Sequence, residues 1–216
     1  MTFAAQQAQT FISAALGSVI TNAVANGLKG GTQPIALTNS IIGGLQMGTN
    51  WIAYDLAINC LKKHNIVKKN LEDPKGNKVL VYFIGGVGAG VVSTLINYPL
   101  SKLQTNLSGQ SSPLNVKEFF KTLGQNIPGT VGFNVAFRSF NDIIPTPKDS
   151  LGRWVRNQGV SLIGGAGSRI GSLPLNLSNN IGICQQIHGF IEGIVPTIVQ
   201  NDATKNFKEI LGFITD

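Results

Sequence analysis

The sequence predicts an all-α membrane protein with six transmembrane helices in three pseudo-symmetric two-helix repeats. Three observations predict it. The first is a set of uncharged runs: residues 1–28, 30–54, 79–101 and 170–191 contain no Asp, Glu, Lys or Arg. At about 1.5 Å rise per residue, each is long enough to cross a hydrocarbon core of roughly 30 Å. The second is composition. Charged residues make up 12% of the 216 while glycine contributes 26, a balance that suits helices packed in lipid better than a soluble enzyme. The third is an internal repeat. Gly86 and Gly90 are four apart, with Pro99 nine residues after Gly90; Ser161, Gly165 and Pro174 reproduce that spacing; Ser13 and Gly17 begin a weaker copy in which Asn26 stands where the proline would be. The anchors Gly17, Gly90 and Gly165 lie 73 and 75 residues apart. Small residues four apart let helix backbones approach closely, and a fixed long period marks a repeat architecture. The chain therefore reads as one membrane domain, 1–216, with repeats at about 8–64, 79–145 and 154–212.

The elements follow in order. A first span at about 8–28 meets a stop at Asn26-Gly27 and Lys29-Gly30-Gly31, residues that end helices. A second span, about 38–63, ends in Trp51, Tyr54 and then Lys62-Lys63, the pattern of an interfacial belt. Residues 64–78 read as a polar linker with a turn at Asp73-Pro74-Lys75-Gly76. The second repeat has its odd span at about 79–106, and Ser108-Gly109-Gln110-Ser111-Ser112 is a loop. Residues 113–123 then predict a short amphipathic surface helix, because Val116, Phe119, Phe120 and Leu123 share one face. An even span at about 125–145 follows, closed by Pro145-Thr146-Pro147. The third repeat takes its odd span from about 154–183 and its even span from about 187–212, the latter interrupted by Gly193 and Pro196. Many residues in these runs are Ser, Thr, Asn, Gln and Gly, so the helices are expected to turn a polar face to protein or a cavity.

The net charge of +7 comes from 17 basic against 10 acidic residues. Six of the basic residues, Lys62, Lys63, Lys68, Lys69, Lys75 and Lys78, fall in one loop between spans. Without interleaved aromatics this loop favours solvent or anionic lipid headgroups over nucleic acid. Cys60 and Cys184 are too few for a disulfide framework, and with His64 and His188 they have no metal-ligand spacing. No Ser/His/Asp grouping or carboxylate pair emerges, so neither enzyme chemistry nor a catalytic, cofactor or metal site is expected. No basic segment precedes the first apolar run, which argues against a secretory signal peptide. Asp55 is expected to face water or a lysine of its own loop, and Arg138 to snorkel to the interface.

The stretch from Gly86 to Leu100, GVGAGVVSTLINYPL, resembles the odd helices of the mitochondrial carrier family. The order after it is also similar: a surface helix, the pair Phe120-Lys121, and an even helix ending in Phe137-x-x-Phe140, with Trp51-x-x-Tyr54-Asp55 matching that ending in the first repeat. The resemblance covers most of residues 8–185 and implies a six-helix, pseudo-threefold barrel in the mitochondrial inner membrane. It also implies cardiolipin as a structural lipid, with Phe120 and Lys121 similar to the family's lipid-contacting pair; Thr122 replaces the glycine expected next. Gly17, Gly86, Gly90 and Gly165 would be packing positions, and Pro99 and Pro174 the kinks.

The charged machinery of the family is missing. A carrier has an acidic residue two after the proline and a basic one five after; here these positions hold Ser101 and Gln104, Asn176 and Asn179, and, after Asn26, Leu28 and Gly31. At the opposite gate, Ile58 and Ile144 occupy the basic positions that follow Tyr54-Asp55 and Phe140-Asn141. The family's substrate positions fall on Ile42-Gly43 and Pro128-Gly129, which bear no charge. The sequence thus reads as a shortened, degenerate carrier-like chain: a non-transporting accessory subunit of an inner-membrane assembly, such as a respiratory-chain complex or ATP synthase, whose partners are membrane lipids and other subunits. An active carrier of an uncharged metabolite is the alternative. A soluble nucleotide-binding enzyme is a third reading, from Gly86-x-Gly88-x-Gly90 after an apolar run; it lacks the third glycine, since Val91 stands there, and the acidic residue further on. Arg169, between the glycines of an odd helix, reads equally as a pore residue or as a structural contact to a helix end or neighbouring subunit.

Overall fold

The computed structural model describes residues 2–28, 37–62, 65–72, 76–107 and 109–178, with short pieces at 184–185, 187–188, 191, 198–199, 202–203 and 205–206. The elements are all helical: α1 (Phe3–Leu28), α2 (Leu37–Leu61), α3 (Asn65–Glu72), α4 (Lys78–Leu107), α5 (Val116–Ile143) and α6 (Ser150–Ser178). Among the described residues, α4 alone is long and apolar enough to cross a membrane by length and composition. Glutamine, asparagine, threonine and serine dilute the other long helices.

Short polar side chains start four of these helices. Thr2 Oγ1 accepts the Ala5 amide, Asn77 Oδ1 the Leu80 amide, Asn115 Oδ1 the Lys117 and Glu118 amides, and Asp149 Oδ2 the Gly152 amide. Each satisfies donors that a first turn leaves open. Asn115 and Glu118 also have the three-residue spacing of a capping box. Pro99, Pro128 and Pro174 lie inside α4, α5 and α6. A proline removes one amide donor and crowds the carbonyl four residues earlier, yet each helix continues through it.

Two expectations are corrected. Residues 64–78 are not merely a linker, because Asn65–Glu72 form α3. Val67, only 2% exposed, docks this helix into a core with Ala53, Tyr54, Ile58, Val81 and Ala89, while Lys68 and Lys69 face out. Nor are the surface helix at 113–123 and the span at 125–145 separate elements; both belong to α5. Neither Gly124 nor Pro128 breaks it, and Pro113 and Leu114 precede its cap. Helix α6 begins four residues earlier than expected. Most of the last even span, 187–212, lies outside the described residues.

The chain forms two compact units, Met1–Ile52 with Leu95–Phe119 and Gly193–Asp216, and Ala53–Thr94 with Phe120–Glu192. In the first, α1 buries Ser13, Ala14, Gly17 and Ser18 and leaves Ile12, Leu16 and Ile20 exposed. Helix α2 meets α1 through Gly44 and Gly48: a Cβ on Gly44 would stand 2.9 Å from the Ala15 carbonyl oxygen, and one on Gly48 2.8 Å from that of Phe11. In the second unit, α5 lies against both α4 and α6, and the core around Val67 and Val81 also takes in Leu61, Tyr82, Ile84 and Val92.

Candidate functional site

Within the second unit, glycines bring backbones together along two seams. On the α4–α5 seam a Cβ on Gly86 would lie 2.8 Å from Val131 Cα, and one on Gly90 3.0 Å from Ile127 Cα. A polar link crosses this seam: Thr94 Oγ1 donates to the Gly90 carbonyl at 2.7 Å and accepts from Asn126 Nδ2 at 3.2 Å. On the α5–α6 seam Gly132 and Gly167 each face the other's carbonyl oxygen, Gly171 faces that of Pro128, and Gly129 faces the Ser172 and Ser168 hydroxyls. The sequence anchor Gly165 is half-buried beside this seam. Gly164 on this seam is set against Phe133 and Phe137, whose rings stack at 5.4 Å.

A charged cluster joins α2, α4 and α5 in the same unit. Arg138 pairs with Asp55 at 3.1 Å and lies over the Tyr54 ring, 3.4 Å from its centroid. Gly85 makes room for that ring, since a Cβ there would run into it. Beside it the Tyr82 hydroxyl donates to Asp142, and Lys78 approaches the same carboxylate at 3.8 Å. Asp55 and Arg138, expected to face water and lipid interface separately, therefore hold each other. The reason is antiparallel pairing of α4 and α5, which sets the end of α5 beside the start of α4 and beside Tyr54. Two acids and two bases balance here, and an arginine on an aromatic face is a structural contact.

Two more clusters lie in the first unit. Gln46 Nε2 donates to Ser101 Oγ at 2.8 Å, and Asn97 Nδ2 donates to Asn50 Oδ1 at 2.9 Å. Ser101 of α4 is thus hydrogen-bonded to α2. Next along α4, the Tyr98 hydroxyl donates to the Asn115 carbonyl at 2.9 Å and accepts from the Asn115 amide at 3.0 Å. Lys102 pairs with Glu118 at 2.6 Å, donates to Ser112 at 2.9 Å and sits 5.4 Å from the Tyr98 ring centroid, while Phe119 meets that ring edge-on. Sequence reading missed both clusters; the asparagine cap at 115 and the paired polar residues at 46, 50, 97 and 101 were the available signals.

The remaining expected residues are placed as follows. Gly17, Gly86 and Gly90 are buried, whereas Pro99, Pro174, Phe120, Lys121 and Arg169 are exposed. The Phe120–Lys121 pair is carried on α5 itself, not on a detached surface helix. Among the described residues, no group of three or more His, Cys, Asp or Glu is placed to hold a metal ion.

Buried and exposed positions each mix polar and apolar side chains: Ile42, Ile58, Val67, Val81 and Val160 are buried. Ser13, Ser18, Thr49, Ser93, Thr94, Asn134 and Gln158 are buried, while Ile12, Leu16, Ile20, Phe83, Leu95, Leu103, Val155 and Ile170 are among the exposed apolar residues. In comparisons with protein-family models, curated proteins and solved structures, the chain matches none.

Proposed function

We propose that this chain is a multi-pass protein of the mitochondrial inner membrane that keeps the carrier architecture without transport. On this reading its six helices span the bilayer as three two-helix repeats, and it serves as an accessory subunit of a larger assembly such as a respiratory-chain complex or ATP synthase. The observation that carries the reading is the set of glycine seams between helices, with rows of exposed aliphatic residues such as Ile12, Leu16 and Ile20 on the outer faces. Lipid supplies no hydrophobic drive between helices, so packing of small residues and interhelical hydrogen bonds must hold them together. The packing positions Gly86 and Gly90 are used in this way, whereas the gate positions Ser101, Gln104, Ile58 and Ile144 bear no charge. Alternating access needs two states biased by ion pairs or by substrate contacts, and the missing gate charges remove that bias. Structural lipid, with cardiolipin the first candidate, and neighbouring subunits are the partners this reading implies. No catalytic role is proposed.

The test joins reconstitution to native electrophoresis. In liposomes the purified chain should exchange no nucleotide, phosphate or carboxylate, and in gently solubilised membranes it should co-migrate with a large respiratory or ATP-synthase band. Robust exchange would sink the reading. One observation favours the alternative, a transporter of an uncharged metabolite: the Gln46–Ser101 and Asn50–Asn97 hydrogen bonds could close a gate without charges. That alternative expects a substrate-dependent rise in melting temperature and migration as a small monomer.

A further inference from the structure

Basic charge gathers at one end of the second unit. Residues 62–78 hold six lysines against two acids, Glu72 and Asp73. Helix α3 carries two of these lysines on a fixed support. Its Val67 is 2% exposed and shares a core with Val81 of α4, and its Asn70 Oδ1 accepts the Asn77 amide at 2.8 Å. At about 100° per residue, Asn65, Lys68, Lys69 and Glu72 fall on the side of α3 away from Val67. All four are exposed.

Helices α5 and α6 bring more charge to the same end. Asp142 of α5 meets Tyr82 and Lys78 of α4, and Arg156 of α6 binds the carbonyls of Asn141 and Ile144. The segment leading into α6, with exposed Lys148, Arg153 and Trp154, therefore lies at the end where α4 starts. The nearby aspartates are engaged: Asp55 by Arg138, Asp142 by Tyr82 and Lys78, and Asp149 as the α6 cap. Lys62, Lys68, Lys69, Lys148 and Arg153 make no ion pair among the described residues.

Helix α4 sets the depth of this surface. Its uncharged run begins directly after Lys78, and Val79, Leu80 and Phe83 are exposed at 51%, 38% and 51%. On the membrane reading these three meet hydrocarbon, so Lys78 stands at the level of the headgroups. The contacts of Val67 with the Val81 core and of Asn70 with Asn77 tie α3 to that level. Clustered lysines there attract anionic lipid, and a tryptophan beside them suits the same interface.

We propose that this end of the second unit binds anionic phospholipid, with α3 lying among the headgroups and Lys68 and Lys69 holding their phosphodiester groups. The proposal rests on the membrane reading above and adds the class of lipid and the side chains that select it. Lys62, Lys148 and Arg153 extend the same positive surface. It is separate from Phe120 and Lys121, which belong to the opposite end of α5.

The test uses full-length chain reconstituted in vesicles of equal parts phosphatidylcholine and phosphatidylglycerol, then extracted in mild detergent. Native mass spectrometry should find phosphatidylglycerol retained in preference to phosphatidylcholine. K68Q/K69Q should lose retained phosphatidylglycerol by about fivefold or more, the effect of removing a lysine's attraction at a membrane surface. K68R/K69R should keep it. Amide hydrogen exchange in α3 should be slower in phosphatidylglycerol than in phosphatidylcholine vesicles for the wild type, and equal in the two for K68Q/K69Q. All three chains should melt at one temperature in lipid-free detergent; K69Q alone replaces the double variant if that is not recovered folded. Equal retention of both lipids by the wild type, or unchanged retention in the glutamine variant, would overturn the inference and leave the subunit reading intact. Loss of the glutamine variant from the large native band, with lipid retention unchanged, would assign the lysines to a protein partner and overturn it as well. A wild-type chain recovered in a salt wash without detergent overturns both readings.

Discussion

At Gly132 and Gly167 the two backbones meet with no side chain between them. A methyl group on Gly132 would have to displace the Gly167 carbonyl, which α6 holds in its own hydrogen-bond ladder. G132A is therefore expected to destabilise the chain by about 1 to 3 kcal/mol, the usual range for overpacking, read as a fall in melting temperature in detergent. Gly124 is the control. It lies in α5 with open space where a Cβ would go, so G124A should raise stability by up to about 1 kcal/mol through helix propensity alone. The difference between these glycines is not legible in the sequence. Gly86 and Gly90 declare themselves by spacing, but the partners of Gly132 depend on how α6 is rotated, which sets Gly167 and Gly171 against it. The Asp55–Arg138 pair was hidden for a related reason: its members are 83 residues apart, and nothing in the spacing links Arg138 to Asp55.

Among the elements, the start of α5 is the most closely specified. Asn115 caps it, Tyr98 binds both the amide and the carbonyl of the cap residue, and Lys102 reaches the first-turn Glu118. Y98F removes the hydroxyl that serves both groups and leaves two backbone positions without that partner. A loss of about 1 to 2 kcal/mol follows from the usual net value of such bonds, with faster amide hydrogen exchange confined to the first turn of α5 and little change in α6. The positions of α1, α2, α4 and α6 were legible to within about five residues, largely from the uncharged runs, while the start of α5 was missed by nine. Helix α3 was not legible: eight residues with paired lysines offer too little periodicity, and only the burial of Val67 gives the segment a reason to be helical. The continuity of α5 was also missed, since Gly124 and Pro128 read as breakers when the flanking packing is unknown.

For the molecule as a whole, the rows of exposed aliphatic residues bear on which solvent it meets. If aliphatic stripes such as Ile12, Leu16 and Ile20 face hydrocarbon, the chain should stay in the membrane pellet through high salt and alkaline carbonate and enter solution only with detergent. Recovery in a salt wash would return the soluble nucleotide-binding reading to consideration. The all-helical class was legible from composition and run length. The number of spans was less so, because among the described residues α4 alone has the length and apolarity of a span.

The contacts around Tyr98 also bear on the order in which the chain acquires structure. Tyr98 and Asn115 are 17 residues apart, Lys102 and Glu118 16, and Asn106 and Ser112 only 6. Loops of this length close in about 10 to 100 ns when near ten residues, far faster than a ribosome adds the next amino acid at roughly 5 to 20 per second. The α4–α5 turn can therefore be set while the remainder of α5 is still being synthesised. Asp55, already made, must wait for Arg138 to emerge. Contacts wired by neighbours in sequence thus give the nascent chain an early fixed point, and the long-range pairing of Asp55 with Arg138 forms afterwards.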